Sequence, residues 1–456
     1  MTLWKYIKER MLSFGGSTVR EGGVCVSYDE LVGYIERFAL RISGQGCCAV
    51  CCASELSAAT AILGCIAAGV PVAPLSMRYG TAQCRSILDV LSPTCVVTDA
   101  DGSLGVYGIC DSSFSPARVR PALIMFTSGT TGTPKGAMLT ESAVMANVSA
   151  VESYLRVDRR DTMLISRPLY HCAALTDELL VALVKGCGIV FSCGRFDPVG
   201  ILGLIRSRSV SFMGSTPTVL GLLARMSRGP LPLRGISVSG ECLSRPVAEK
   251  IRKAFPEADI YHAYGLTEAC TRVSFLPCGE FDSDPCSVGY ALPGVSLKIL
   301  DPAGRPVRSG VYGELWVKGK NIMRGYYARP DLTRSVLQGG WLRTGDIAAQ
   351  RGGKLYIRGR ADDMIIRAGI NIFPQEIEAA LRRDPRTADV VAYGFDDGVG
   401  GVKIGLKICG SFTDEGEVRR MCVDLLPSYE VPSKISLADT IDRGVSGKLV
   451  RLQSSL

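Results

Sequence analysis

Histidine is almost missing from this chain. Its 456 residues include two, His171 and His262, which excludes a histidine-rich metal centre. Excess charge is also small. Fifty-two basic residues against 44 acidic ones leave +8, spread along the sequence. That balance suits an anionic small ligand and falls short of the basic footprint that binds nucleic acid. The start "MTLWKYIKERML" mixes charges into its apolar positions, so no export leader and a cytoplasmic location are expected. No long apolar run survives intact. Leu56 to Ser76 is the most membrane-like stretch, and Gly69, Pro71 and Pro74 interrupt its second half. A buried helix followed by a buried strand is expected there, with no membrane span. A "GxSxG" elbow is absent too, which argues against a Ser-His-Asp hydrolase.

Cysteine, by contrast, is plentiful, at 18. With no export signal these are expected to be reduced thiols filling the core. "CCAVCC" reads as a strand. Cys47 and Cys51 then point to one face and Cys48 and Cys52 to the other, so four ligands cannot converge on one ion.

The length implies two or three domains. "SYDELVGYIERFALRI" places Ser27 and Glu30 at capping-box spacing ahead of Leu31, Ile35, Phe38 and Ile42, which predicts an amphipathic helix. A helix from Glu55 to Ala68, the strands "VPVAPL", "TCVVTD" and "PALIMF", and a helix from Thr140 to Tyr154 follow. "GIVFS", "PVGILGLIRSR", "VSFMGS" and a helix ending near Arg225 continue the alternation. Such alternation implies a largely parallel sheet covered on both faces. From Ser287 the texture becomes turn-rich, with "DPAGRPVRSGVYGELWVKG" reading as antiparallel strands. A short mixed segment closes the chain: the helix "PQEIEAALRRD" and the strands "VVAYGF" and "KIGLKI". The expected fold is α/β. A large N-terminal domain (1–359) joins layered α/β subdomains to an antiparallel β-rich part, and a small mobile α+β domain (360–456) follows.

The chemistry concentrates in a few segments. "FTSGTTGTPKGAML", Phe126 to Leu139, is a strand running into a loop of Ser128, Gly129, Thr130, Thr131, Gly132 and Thr133. Glycines let backbone N–H groups close round phosphate oxygens, and Lys135 adds positive charge. Pro134 and Gly136 flank that lysine, so the loop is not a Walker sequence. In "YHAYGLTEA", Tyr264 can stack on a base, Thr267 can bond a phosphate and Glu268 can hold Mg²⁺, which favours a carboxylate together with substrate phosphates. Asp346 in "WLRTGDIA" can bind two ribose hydroxyls. Arg360 in "RGRADDMI" and Lys448 in "VSGKLV" complete the set.

Seven motifs in order, "FTSGTTGTPKG", "PLYHCAAL", "YGLTEA", "GELWVKGKNIMRGYY", "WLRTGDIA", "GRADDMIIRAGINIFPQEIE" and "SGK", resemble the adenylate-forming superfamily of acyl- and aryl-CoA ligases, adenylation domains and luciferases. The likeness spans nearly the whole chain. It implies that Ser128, Thr130, Thr131 and Lys135 embrace the β- and γ-phosphates of ATP. Tyr264, Gly265 and the stretch Gly240, Glu241 and Cys242 flank the adenine. Thr267 meets the α-phosphate, Glu268 holds Mg²⁺, Asp346 and Arg360 hold the ribose, and Lys448 bridges the acid's carboxylate and the α-phosphate. His171 borders the acid pocket, whereas His262 is closer to structural. Asp362 marks the hinge of the mobile domain.

The resemblance implies ATP-dependent formation of an acyl-adenylate, loss of pyrophosphate, and transfer of the acyl group to a thiol. Coenzyme A is the expected acceptor, and the phosphopantetheine of an acyl or peptidyl carrier protein is the alternative. Where many CoA ligases read "SGGENIYP", Arg367, Ala368 and Ile370 depart and Gly369 and Asn371 remain, which bears on the thiol. The acid pocket is expected near Leu175, Gly214 to Thr216, Gly240, and Tyr261 to Gly265. "RFDP" after a strand resembles acyl-CoA ligases more than amino-acid adenylation domains, and "YGLTEACTRVSFLP" resembles the o-succinylbenzoate ligases. Intact Thr267, Glu268, Asp346 and Lys448 argue against a nucleotide-binding module without catalysis.

Overall fold

The computed structural model describes residues 1–99, 102–109, 120–127, 134–192, 194, 196–367, 370–396 and 402–442, without the side chain of Asn371. The chain divides into two compact units. The first comprises Met1–Glu241, Glu249–Leu297 and Trp316–Arg343, and the second Cys242–Ala248, Lys298–Leu315 and Thr344–Leu456.

In the first unit, short-range sequence signals set the elements. Ser27 Oγ accepts from the Glu30 N–H at 3.2 Å, and Glu30 Oε2 accepts from the Ser27 N–H at 2.7 Å. This reciprocal box starts the helix Tyr28–Ile42. Thr140 likewise caps Glu141–Tyr154 through the Ala143 N–H. The run from Leu56 resolves into the helix Glu55–Ala67 and the strand Val72–Pro74. Among the described residues no helix is long and apolar enough to cross a membrane.

Two sheets organise this unit. One runs in the spatial order Gly105–Gly108, Cys95–Thr98, Cys48–Val50, Val72–Pro74, Leu123–Thr127, Lys135–Leu139. Cys47 packs with Ala49 on one side, with Cys51 beside them, as the alternation requires. Burial pushes the Cys47 thiol up to about 12. The other sheet has nine strands, in the order Tyr290–Ala291, Ser274–Leu276, Asp259–Tyr264, Gly235–Ser239, Phe212–Ser215, Thr162–Ile165, Gly188–Phe191, Thr18–Glu21, Val24–Ser27.

The centres of both sheets are parallel. Most of their residues are buried, and Phe212–Ser215 and Gly235–Ser239 are buried along their whole length. The edges are antiparallel, which alternation alone did not reveal. Strand Lys135–Leu139 turns back along Leu123–Thr127, pairing Lys135 with Thr127. The hairpin Thr18–Ser27 at one edge, and the strands Ser274–Leu276 and Tyr290–Ala291 at the other, close the nine-stranded sheet in the same way.

The second unit holds an antiparallel pair and a small α+β body. Lys354–Arg360 pairs with the Asp346–Arg351 part of strand Trp341–Arg351, with a bulge between Ile347 and Ala348. Thr387–Asp396 and Val402–Gly410 pair antiparallel, and Lys434–Leu437 joins in parallel. The helices Pro374–Leu381 and Glu415–Leu425 share their core through Ile377, Val390, Leu406, Val418 and Ile435. The α/β class, with parallel-centred layers, antiparallel parts and a small α+β body, is the one expected from the sequence.

Candidate active site

Parallel strands Phe212–Ser215, Gly235–Ser239 and Asp259–Tyr264 end side by side at Thr216, Gly240 and Gly265. Carboxyl ends of parallel strands are where α/β sheets bind ligands. Tyr264 closes its strand with 9% of its surface exposed. The chain then bends hard. Thr267–Ala269 forms one 3₁₀ turn, and Cys270 and Thr271 both take the left-handed conformation, at φ +50° and +81°. Two successive non-glycine residues there are strained, a β-branched one most of all. Gly265 is what lets the bend close: a Cβ on it would lie 1.2 Å from the Thr271 carbonyl oxygen. A side chain and a backbone N–H pin the bend. Asn321 donates to the carbonyls of Ala269 and Arg272 at 3.0 and 2.7 Å, and the Met323 N–H donates to the Glu268 carbonyl at 2.8 Å.

The bend thereby presents Thr267 and Glu268, both half-buried. The Tyr326 hydroxyl donates to Glu268 Oε1 at 2.7 Å. Tyr326 itself bridges to Ala137 on strand Lys135–Leu139, where the Tyr327 N–H donates to the Gly136 carbonyl at 2.7 Å. Glu268 is thus tied, through one phenol, to the strand that Lys135 opens. Tyr326 is not among the residues the motifs single out, although it lies inside "GELWVKGKNIMRGYY". Ser128, Gly129, Thr130, Thr131 and Gly132 fall outside the described residues, as does Lys448.

His171 closes a turn, its N–H donating to the Pro168 carbonyl at 3.0 Å, with the Tyr170 ring 4.3 Å from its own. Glu55 supports that turn by accepting from the Leu169 N–H at 2.9 Å. Burial pushes the Glu55 carboxyl up to about 7. The Leu169 N–H and Arg78 pull it down, whereas Glu21 and Asp99 push it further up. The folded chain therefore keeps a proton on Glu55 that the unfolded chain gives up. Stability from this group is fully present below the unfolded value and falls as pH rises through the folded one. Against Glu55→Gln, the melting temperature of the wild type should drop as pH rises from about 4.5 to about 7. Parallel melting curves across that window would deny Glu55 the shift.

Beyond His171 the helix widens into a π-turn, Ala174–Leu179, which buries Thr176, Asp177 and Glu178. Such turns are rare and gather at functional sites. Asp177 Oδ1 accepts from the Thr271 hydroxyl at 2.6 Å and from Asn147 Nδ2 at 2.8 Å, and its Oδ2 lies 3.4 Å from Arg272 Nε. Arg272 Nη2 also donates to Ser237 at 3.1 Å. Glu178 pairs with Arg167. This buried network joins the segment after His171 to the bend after Glu268. Burial pushes the Glu178 carboxyl up, and Arg167 pulls against it.

His262 is structural. Its Nδ1 faces the carbonyls of Pro285 and Ser287 at 2.9 and 2.8 Å, so Nδ1 carries the proton, and burial pushes the imidazole down to about 4. Gly240 and Glu241 follow strand Gly235–Ser239. Glu241 Oε2 accepts from the Thr218 hydroxyl at 2.5 Å.

In the second unit, Asp346 stands opposite Arg360 across the antiparallel pair, with Arg360 Nη1 3.5 Å from Asp346 Oδ1 and 3.0 Å from the Thr344 carbonyl. Arg360 Nη2 lies 3.7 Å from Asp362. The fold therefore gathers Asp346, Arg360 and Asp362 into one cluster. Cys242, in the same unit, is exposed.

Residues 111–327 match the AMP-binding enzyme family. A 2-succinylbenzoate–CoA ligase of Bacillus velezensis is 34% identical over 72% of this chain and 67% of its own. A feruloyl-CoA synthase of Amycolatopsis sp is 29% identical over 98% of this chain and 97% of its own. Among solved structures, the o-succinylbenzoate CoA synthetase of Bacillus subtilis, in complex with its acyl-adenylate intermediate, superposes with a TM-score of 0.85 at 25% identity, covering 99% of this chain and 97% of that one. With the family's motifs in order and relatives of this closeness, the chain belongs to the AMP-binding enzyme family, beside the acyl- and aryl-CoA ligases.

Proposed function

We propose that the protein activates a carboxylic acid with ATP, releases pyrophosphate, and passes the acyl group from the resulting acyl-adenylate to the thiol of coenzyme A. The observation that carries this reading is the strained bend at Gly265–Thr271, which offers Thr267 and Glu268 while Tyr326 fixes Glu268 beside the strand of Lys135. The relatives named as CoA ligases support it.

Roles follow from chemistry. Tyr264 and Gly265, with Gly240, Glu241 and Cys242, take the adenine. Thr267 takes the α-phosphate. Lys135, with Ser128, Gly129, Thr130, Thr131 and Gly132, takes the pyrophosphate end. Asp346 and Arg360 take the ribose hydroxyls. The acid lies by His171 and Leu175, with Gly214 to Thr216 and Tyr261 to Gly265 as further walls. Glu268 suits Mg²⁺, because one carboxylate plus substrate phosphates is the donor set this cation favours. Bound Mg²⁺ supplies charge neutralisation on the phosphates. Lys448 bridges two anions that would otherwise repel, the acid's carboxylate and the α-phosphate. Residues 360–456 act as a mobile domain that turns about Asp362 between the two half-reactions.

ATP–pyrophosphate exchange across a panel of acids, followed by thioester analysis with coenzyme A, tests the proposal. Acid-dependent exchange and an acyl-CoA product are expected. Exchange without transfer to coenzyme A moves the acceptor to a carrier protein's phosphopantetheine, an outcome the departures at Arg367, Ala368 and Ile370 make worth testing. No exchange with any acid would overturn the enzyme reading in favour of a nucleotide-binding module.

A further inference from the structure

Within the buried network the Arg167–Glu178 pair is left unfinished. An arginine usually grips a carboxylate side-on, with Nε and Nη2 each donating to one oxygen. Arg167 Nη2 meets Glu178 Oε1. The second arm is open: Arg167 Nε and Glu178 Oε2 are both buried and have no hydrogen-bond partner among the described residues. Only 4% of the Glu178 side chain is exposed. Buried polar atoms are seldom left unpaired, because each forfeits the water it lost. The neighbouring Asp177 makes no such sacrifice, with Thr271, Asn147 and Arg272 around it. Arg272 Nε also lacks a hydrogen-bond partner, 3.4 Å from Asp177 Oδ2, but in the Arg167–Glu178 pair a donor and an acceptor of one ion pair stand open together.

The position of the pair is specific, its made contact lying against Gly214. A Cβ on Gly214 would come within 2.5 Å of Glu178 Oε1 and 3.4 Å of Arg167 Nη2. Glycine at the end of strand Phe212–Ser215 leaves this pair standing directly over the strand end. The sequence marks the place as well, since Thr176, Asp177 and Glu178 interrupt the apolar run "CAALTDELLVALV".

We infer that the Arg167–Glu178 pair reads the far end of the acid, taking a hydroxyl or carboxamide that donates to Glu178 Oε2 and accepts from Arg167 Nε. The inference rests on the acid lying between His171 and Gly214, as proposed above. Charge selects the neutral group. Arg167 and Arg272 already balance Asp177 and Glu178, so a second carboxylate would face Glu178 and an ammonium would face Arg167. A plain hydrocarbon tail leaves both atoms unpaired and is rejected on that ground.

ATP–pyrophosphate exchange with straight-chain and phenyl acids of matched length, each ending in methyl or ring hydrogen, hydroxyl, carboxamide or carboxylate, tests this. At the best length the hydroxyl or carboxamide acid should exceed the unsubstituted one by about a hundredfold in kcat/KM. The double variant Arg167→Met/Glu178→Met should lose that preference and turn toward the unsubstituted acid. Glu178→Gln, which keeps the volume, should narrow the preference about tenfold, and so decides the matter should the double variant fail to fold. Equal or better use of the unsubstituted acid by the wild type overturns this inference alone. Absence of exchange with any acid overturns the proposed function and this inference with it.

Discussion

Lys448→Ala is expected to lower acid-dependent ATP–pyrophosphate exchange by about two to three orders of magnitude, some 3–4 kcal/mol of barrier. The reason is the charge of the reactants. A carboxylate must approach an anionic phosphate, and a preorganised ammonium between them acts only as the new bond forms, so it lowers the barrier far more than it tightens ground-state binding. ATP affinity of the variant should therefore stay close to wild type, measured by calorimetry. Transfer from a chemically supplied acyl-adenylate to coenzyme A should also persist, because in that step no second anion approaches the phosphate. Exchange at near wild-type rate would assign the role to another residue, with Lys135 the next candidate.

The second large effect is structural and is confined to one methyl group. Gly265→Ala would place a Cβ 1.2 Å from the Thr271 carbonyl, a backbone atom that no rotamer change can move. The bend at Cys270 and Thr271 is already strained and tied to Asp177, so it has no relaxed alternative nearby. A loss of about 3 kcal/mol or more is expected in urea unfolding. Gly279→Ala is the control: a Cβ there meets nothing within 4 Å, and its effect should stay within about 0.5 kcal/mol. Equal unfolding midpoints for the two variants would mean that the bend does not constrain the site.

Local signals were legible in the sequence. Ser27 and Glu30 lie three residues apart and cap their helix reciprocally, since a capping box depends only on neighbours. The same holds for Thr140 and for the alternation of Cys47 and Cys51 on one face. Motif order singles out Tyr264, Thr267, Glu268, Asp346 and Arg360, and the fold places each at a strand end, in the bend or on the facing strand. What supports them was not legible. Tyr326 reaches Glu268 across 58 positions, Thr271 reaches Asp177 across 94, and Glu55 reaches the turn of His171 across 114. Nothing in local propensity or periodicity encodes such pairings, which depend on the sheet order. The antiparallel edges escaped for a similar reason. Whether a strand such as Lys135–Leu139 returns beside its predecessor is decided by pairing, not by composition. One long-range feature did leave a trace. Three polar residues, Thr176 to Glu178, interrupt an otherwise apolar helix, and polar groups on a buried helix need partners from elsewhere in the chain.

The central claim is that the acid's own oxygen attacks the α-phosphate. It is tested most directly by following that oxygen. An acid found active in exchange, carrying ¹⁸O in both carboxylate positions, is incubated with ATP, Mg²⁺, coenzyme A and the protein, and the released nucleotide is analysed by mass. Attack on phosphorus followed by thiol attack on the carbonyl leaves one carboxylate oxygen on the phosphate, so AMP bearing a single ¹⁸O is the predicted product. Unlabelled AMP, or ADP in its place, would contradict the account.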